Sequence, residues 1–282
     1  MTSLNDHLPF VVSSLVLFFY PLFSKASNTL LQGQTLEDSA DQTLISPGKV
    51  FELGFFSLTA GRNHRYLGIY YHNISPQSIV WIANRDTPLS DSSGTLRLGT
   101  DGNLSLVDTT TGNSIWSTNS SATSSNSSAS LTLEDDGRII LQLTNGTVNW
   151  DSFDHPTDTF LPGMKVLLDI RTGRRTLFRS WRSADDPSAG NYSLGLDASG
   201  QIFIWEGKQD TVAVGPVGWH QVHRLTMRPL YLYGFHPTND VENGLLYFTY
   251  AQMNSSLLRF VLQWNGVENT TMLVEETRQG NL

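Results

Sequence analysis

Ser78-Ile79-Val80-Trp81, Ser114-Ile115-Trp116 and Val148-Asn149-Trp150 are three versions of one short phrase, their tryptophans 35 and 34 residues apart. Each runs on to a small polar residue: Asn84, Asn119 and Ser152. A second beat falls between them. Asp101-Gly102-Asn103-Leu104-Ser105-Leu106 returns 35 residues later as Asp136-Gly137-Arg138-Ile139-Ile140-Leu141, and Gly112 and Gly146 lie 34 apart. Self-similarity at such a period means one supersecondary unit used three times, each copy burying its apolar face against the others.

The units are built from strands. Apolar residues come in short alternating or continuous runs, at 50–56, 66–71, 79–83, 104–107, 139–143, 176–181, 202–205, 245–250 and 257–263. Turn signals such as Pro47-Gly48, Asp101-Gly102, Asp136-Gly137, Asn145-Gly146, Ser199-Gly200 and Asn265-Gly266 separate them. Short strands at close spacing predict an all-β fold. Trp81, Trp116 and Trp150 are expected to converge on a shared apolar axis as structural core.

The strict period ends at Trp150. The turn-rich segment 154–163 marks a boundary, after which strand-and-turn texture returns from Thr176 with weaker symmetry. Asp197-Ala198-Ser199-Gly200 echoes the Asp-X-Gly beat, so a second β-domain, a diverged copy of the first, is expected.

At 282 residues with 39% hydrophobic content the chain can bury one large core or two ordinary ones. Its formal charge of -8, with scattered basic residues, excludes the electrostatic footprint of a nucleic-acid binder. The apolar run from Leu8 to Phe23, followed by Ser24-Lys25-Ala26, reads as a signal peptide cleaved after Ala26, with a retained anchor as the alternative. The expected layout is therefore a signal at 1–26 and β-domains at 27–153 and 154–282. No later stretch has the length and apolarity of a membrane span, so a soluble, secreted mature product is expected. Sequons at Asn73, Asn103, Asn119, Asn126, Asn145, Asn191, Asn254 and Asn269 suit that route and are the candidate glycosylation sites. Ser117 to Ser130 is expected to be a glycosylated surface loop. There is no cysteine, so burial alone must hold the described scaffold together.

Residues two apart on a strand share a face, so Asp101, Asn103, Ser105 and Val107 form a row able to bond the hydroxyls of a sugar. The alternative is that Asp101-Gly102 simply makes a hairpin turn. The row resembles the mannose pocket of monocot bulb lectins, Gln-X-Asp-X-Asn-X-Val-X-Tyr. Asp101 and Asn103 match, while Gly99, Ser105 and Val107 replace the Gln, Val and Tyr. In the next repeat Asp136 matches, with Glu134, Arg138 and Gln142 substituted at the other polar positions. The first repeat, sought around Ser46 to Phe56, keeps none of it. Asp101, Asn103 and Asp136 are the candidate carbohydrate-binding residues.

Three longer motifs extend the comparison: Val80-Trp81-Ile82-Ala83-Asn84-Arg85-Asp86, the segment from Ser152 to Lys165, and the segment from Ser180 to Ser193. Together they resemble the extracellular region of plant S-locus glycoproteins and S-receptor-like kinases. The resemblance implies tandem bulb-lectin (β-prism) domains and non-enzymatic recognition of a glycan, a peptide or another receptor ectodomain. In that family a cysteine-rich region, a membrane helix and a Ser/Thr kinase follow; they are not found in these 282 residues. A secreted mannose lectin and a truncated decoy with relic sugar sites are the rival expectations. Gly215-Pro216-Val217-Gly218-Trp219 departs from the family's Gly-Pro-Trp-Asn-Gly.

Enzyme-like groupings have structural explanations. Asp154, His155 and Asp158 sit in a turn-rich linker where aspartates cap backbone amides. His220 and His223 lack a nearby third ligand, and Glu134, Asp135 and Asp136 are explained by a solvated turn. No catalytic residue, metal or cofactor is expected.

Overall fold

A computed structural model describes residues 27–39, 42–58, 64–120, 128–207, 220–224, 234–251 and 257–273. The expected signal, the sequons at Asn126 and Asn254, and the Gly215–Trp219 departure lie outside these residues. Among the described residues the only helix is one 3-10 turn, Ser152–Asp154; everything else regular is strand.

Three short strands lead the chain: β1 (Thr29–Leu31), β2 (Thr35–Glu37) and β3 (Leu44–Ile45). Three antiparallel meanders follow. They are β4 (Phe51–Phe56), β5 (Tyr66–Tyr71) and β6 (Ile79–Ile82); β7 (Gly94–Leu98), β8 (Leu104–Asp108) and β9 (Ser114–Ser117); and β10 (Ala129–Leu133), β11 (Ile139–Leu143) and β12 (Val148–Asp151). Each leading strand completes one meander as its outer strand, giving the sheets β3-β4-β5-β6, β2-β7-β8-β9 and β1-β10-β11-β12. The 35-residue period thus encodes only three strands of each four-stranded sheet. The fourth comes from the N-terminal segment, which ties all three sheets together in reverse order.

Each sheet carries its tryptophan at the same place. Trp81 pairs with Ile69, Trp116 with Leu106 and Trp150 with Leu141, and the register slips immediately beyond each pair. The three indoles meet edge to face at centroid separations of 5.8, 6.0 and 5.8 Å. Edge-to-face contact sets the positive ring edge against a neighbour's negative face, adding about 0.5–1.5 kcal/mol per pair to the burial. Alternating leucines, among them Leu30, Leu96, Leu106, Leu131 and Leu141, fill the space between the sheets with essentially no exposure. Three four-stranded sheets around a tryptophan axis are a β-prism.

The second half repeats the plan loosely. Its strands are β13 (Thr159–Phe160), β14 (Val166–Asp169), β15 (Phe178–Ser183), β16 (Asp186–Leu196), β17 (Ile202–Glu206), β18 (His220–Arg224), β19 (Phe235–Asp240), β20 (Leu245–Tyr250), β21 (Leu257–Leu262) and β22 (Glu268–Leu273). They make three sheets, β15-β16-β17-β18, β14-β20-β19 and β13-β21-β22. Again the leading strands feed the later sheets. Among the described residues no tryptophan marks this axis: His223 occupies the backbone position opposite Ile204. The centre is instead packed by Phe160, Phe235, Phe248, Tyr250 and Phe260, with neighbouring rings 4.8 to 6.4 Å apart.

Candidate functional site

The hairpin between β7 and β8 positions the first candidate pair. Gly102, at φ 74°, turns the chain so that its N–H reaches the Gly99 carbonyl, a left-handed conformation that glycine adopts without steric cost. Asp101 Oδ1 accepts the Asn103 N–H at 3.1 Å, and Asn103 Nδ2 donates to Asp101 Oδ2 at 3.1 Å. These bonds, chiefly those from the Asn103 backbone and side chain, hold the Asp101 carboxyl below its usual range. Asn103 Oδ1 in turn accepts from the hydroxyls of Ser120, at 2.9 Å, and Thr118, at 3.3 Å. Asn149 Nδ2 donates to Ser120 Oγ across the neighbouring sheet. Leu104 and Leu106 point inward while Asn103, Ser105 and Val107 share the opposite, half-exposed face.

Asp136 makes the same turn at Gly137 (φ 85°), accepting the Arg138 N–H at 3.0 Å. Here the face is filled. The Arg138 guanidinium lies 3.1 Å from Asp136 and 3.5 Å from Asp151, and it stacks over the Phe153 ring at 4.6 Å. An internal ion pair therefore stands where the first pair leaves amide and carboxylate groups.

The first-repeat counterpart is not near Ser46 to Phe56. Strand pairing puts Ile69 in the place of Leu106, so the row equivalent to Asp101, Asn103, Ser105 and Val107 runs through His64, Tyr66, Gly68 and Tyr70. The sequence there holds no Asp-Gly pair, and the spacing to the tryptophan is not constant: Asp101, Asp136 and His64 stand 15, 14 and 17 residues ahead of Trp116, Trp150 and Trp81, so only the strand pairing reveals the match. This face is closed by aromatic packing. Tyr66, Tyr70, Phe56 and Ile82 form a buried cluster against which Trp181 of the second half packs.

Trp181 belongs to a joint between the two halves, and the three long motifs all converge on it. Asn84 holds the first half locally: its carbonyl accepts the Leu67 N–H, and its amide reaches the Arg65 and Thr87 carbonyls. Arg85 is buried and donates to three carbonyls of the second half, Pro187 at 2.8 Å, Ser180 at 2.7 Å and Arg179 at 3.2 Å. Asp86 accepts the Ala189 N–H at 2.7 Å. From the other side, Trp81 donates its indole N–H to the His155 carbonyl at 2.9 Å, and the His155 ring stacks on Trp150 with an interplanar angle of 3°. Arg259 reaches back to the Ile79 carbonyl and the Ser78 hydroxyl at 2.9 and 2.7 Å.

The enzyme-like groupings dissolve into these tasks. Asp154 is exposed at the end of the 3-10 turn. Asp158 accepts the Leu262 N–H through its backbone and the Thr157 hydroxyl through its carboxylate. Desolvation pushes the Asp158 carboxyl up, opposed by the charge of Arg85. Asp135 accepts the Gly48 N–H, so Glu134, Asp135 and Asp136 serve separate contacts. Among the described residues no group of three or more His, Asp or Glu side chains is arranged to hold a metal. The side chains of His220 and His223 lie outside the described residues.

Residues 78–182 match the family model described as D-mannose binding lectin. The G-type lectin S-receptor-like serine/threonine-protein kinase B120 of Arabidopsis thaliana is 42% identical over 269 residues, 91% of this chain and 31% of that protein. The S-locus-specific glycoprotein BS29-2 of Brassica oleracea var. alboglabra is 43% identical over 198 residues, 68% of this chain and 44% of that protein. The chain is a homologue of the G-type lectin S-receptor-like kinases and the S-locus glycoproteins, and it carries their bulb-lectin domain. It spans about a third of the matched kinase and under half of the matched S-locus glycoprotein. Among solved structures, the mannose-specific agglutinin of snowdrop bulbs is similar at 22% identity and a TM-score of 0.32, over 44% of this chain and 94% of that one. Among the described residues of this homologue no helix is long and apolar enough to cross a membrane.

Proposed function

We propose that this chain is a non-enzymatic extracellular recognition module, the ligand-sensing portion of an S-receptor-like kinase or S-locus glycoprotein type of protein. In this reading residues 1–26 direct export, and tandem β-prisms at 27–153 and 154–282 present the ligand surface. One observation carries it: the polar residues of the long motifs are spent on the joint between the halves. Arg85, Asp86, His155 and Arg259 are bonded to backbone or neighbouring side chains there. Ligand contact is thereby left to the outward sheet faces, which suits recognition of a glycan, a peptide or a second ectodomain. The test is expression of the whole chain in a plant secretory host. Release of a glycosylated product that binds a glycan array or co-elutes with a candidate ectodomain supports the reading. Retention inside the cell, or release without any such binding, counts against it.

Mannose recognition is the second reading, and the adjacency of Asp101 and Asn103 favours it at the β7–β8 hairpin alone. The third repeat is closed by Arg138 and the first by Tyr66 and Tyr70. Retention on a mannose column should vanish in both Asp101→Ala and Asn103→Ala, while Asp136→Ala should leave it intact. Equal retention of all three variants eliminates this site.

A further inference from the structure

In the sheets β1-β10-β11-β12 and β13-β21-β22 the third strands, β11 and β22, turn different side chains toward the core. In β11 they are Ile139, Leu141 and Leu143, all buried. In β22, pairing sets Glu268 opposite Leu262, Thr270 opposite Phe260 and Met272 opposite Leu258. Those three partners are buried, so Glu268, Thr270 and Met272 share the core-facing side of the sheet, yet Met272 is 50% exposed. A carboxylate at such a position costs free energy unless something pairs with it. A break in the apolar pattern of this kind marks a candidate site.

Glu268 borders a cavity whose lining includes Phe160, Phe178, Leu194, Phe260 and Leu262. With its mouth the cavity takes up about 350 Å³, but its enclosed part is about the size of one water. A sugar ring is too wide for that part; a methylene or an ammonium group is not. The Thr270 hydroxyl donates to Glu268 Oε1 at 3.0 Å. Among the described residues no Lys, Arg or His pairs with this carboxylate, and burial raises its pKa against that one bond. Asp158 stands on the other side of Leu262, its carbonyl accepting the Leu262 N–H, but its charge is matched by Arg85. Glu268 is the unmatched charge at the cavity.

We propose that this cavity receives a lysine side chain of a partner protein, its ammonium paired with Glu268 and its methylenes lying on the apolar lining. The site is separate from the β7–β8 hairpin, and the proposal rests on the recognition reading above for the existence of a partner. A slender stem ending in a compact charge suits a narrow apolar mouth with one carboxylate, whereas the planar fork of arginine is broader. The net charge of -8 draws a basic partner toward the chain.

The probe is n-butylammonium chloride, a lysine side chain without its backbone, titrated into the purified full chain with binding read by saturation-transfer NMR. It should bind. Butan-1-ol, of the same shape without the charge, should bind about tenfold more weakly. Glu268→Gln should weaken n-butylammonium by about tenfold as well and leave butan-1-ol unchanged. Glu242→Gln, which alters an exposed carboxylate in the β19–β20 turn, should change neither. The comparison of the two probes needs no variant, so it decides the matter even where Glu268→Gln fails to fold. Equal binding of the probes, equal loss in the two variants, or no binding of n-butylammonium overturns the proposal. Each of these leaves the recognition reading standing, because glycan-array and ectodomain binding are measured separately. A chain that holds n-butylammonium through Glu268 but binds no glycan or ectodomain keeps the site and counts against that reading alone.

Discussion

Replacing Arg85 by alanine should do more damage than any other single polar substitution in the chain. The side chain is 9% exposed and its guanidinium donates to the carbonyls of Pro187, Ser180 and Arg179. Each carbonyl orphaned in a buried site costs about 1–3 kcal/mol. A water entering the vacated space can serve one of them, so the loss should fall in the range of about 3–5 kcal/mol found when a buried charged group is removed from its partners. Asp158 suffers too, since the Arg85 charge opposes the desolvation that already raises its pKa. For a chain of this size the loss should appear as a fall in Tm of about 10 °C, measured by calorimetry on the purified, secreted protein. Arg85→Lys, which keeps the charge but lacks the planar fork, should fall between wild type and alanine. An alanine variant within about 1 kcal/mol of wild type in urea unfolding would refute the claim that this residue fastens the two halves.

Three further outcomes follow from particular contacts. Trp150→Ala should cost about 3–5 kcal/mol in denaturant unfolding, because the ring is buried and meets Trp81, Trp116 and His155. Glu268 has its pKa raised above 4.5, mainly by desolvation. A carboxyl raised on folding stabilises fully below its unfolded value and loses that contribution as pH climbs through the folded one. Stability should therefore decline above the ordinary glutamate range, and Glu268→Gln should flatten that decline in Tm measured against pH. Gly190→Ala should abolish secretion or lower Tm sharply, since a Cβ there would stand 2.0 Å from the Trp181 carbonyl oxygen at the joint.

Much of this was legible in one dimension. Three tryptophans at a fixed period require equivalent strand positions, and equivalent positions in a closed arrangement must meet; the convergence of Trp81, Trp116 and Trp150 needs no further information. The Asp-Gly turns were equally legible, because a left-handed glycine preceded by an aspartate that accepts the N–H two residues on is a local event at both Asp101 and Asp136. Local bonding leaves a local signature.

What the tertiary structure alone decided is where the polar motifs spend their hydrogen bonds. Arg85-Asp86 carries no sign of meeting backbone a hundred residues away, carbonyls for Arg85 and an N–H for Asp86, because a polar group's partner depends on which backbone the fold brings within reach. The same holds for the sugar-like rows: sequence places Asp101 beside Asn103 and Asp136 beside Arg138, yet only the packed sheets show Asp151 and Phe153 closing one row and Trp181 closing the row at Tyr66 and Tyr70. Strand periodicity sets which face a side chain takes; what lies against that face is settled by long-range packing, which no short stretch of chain encodes.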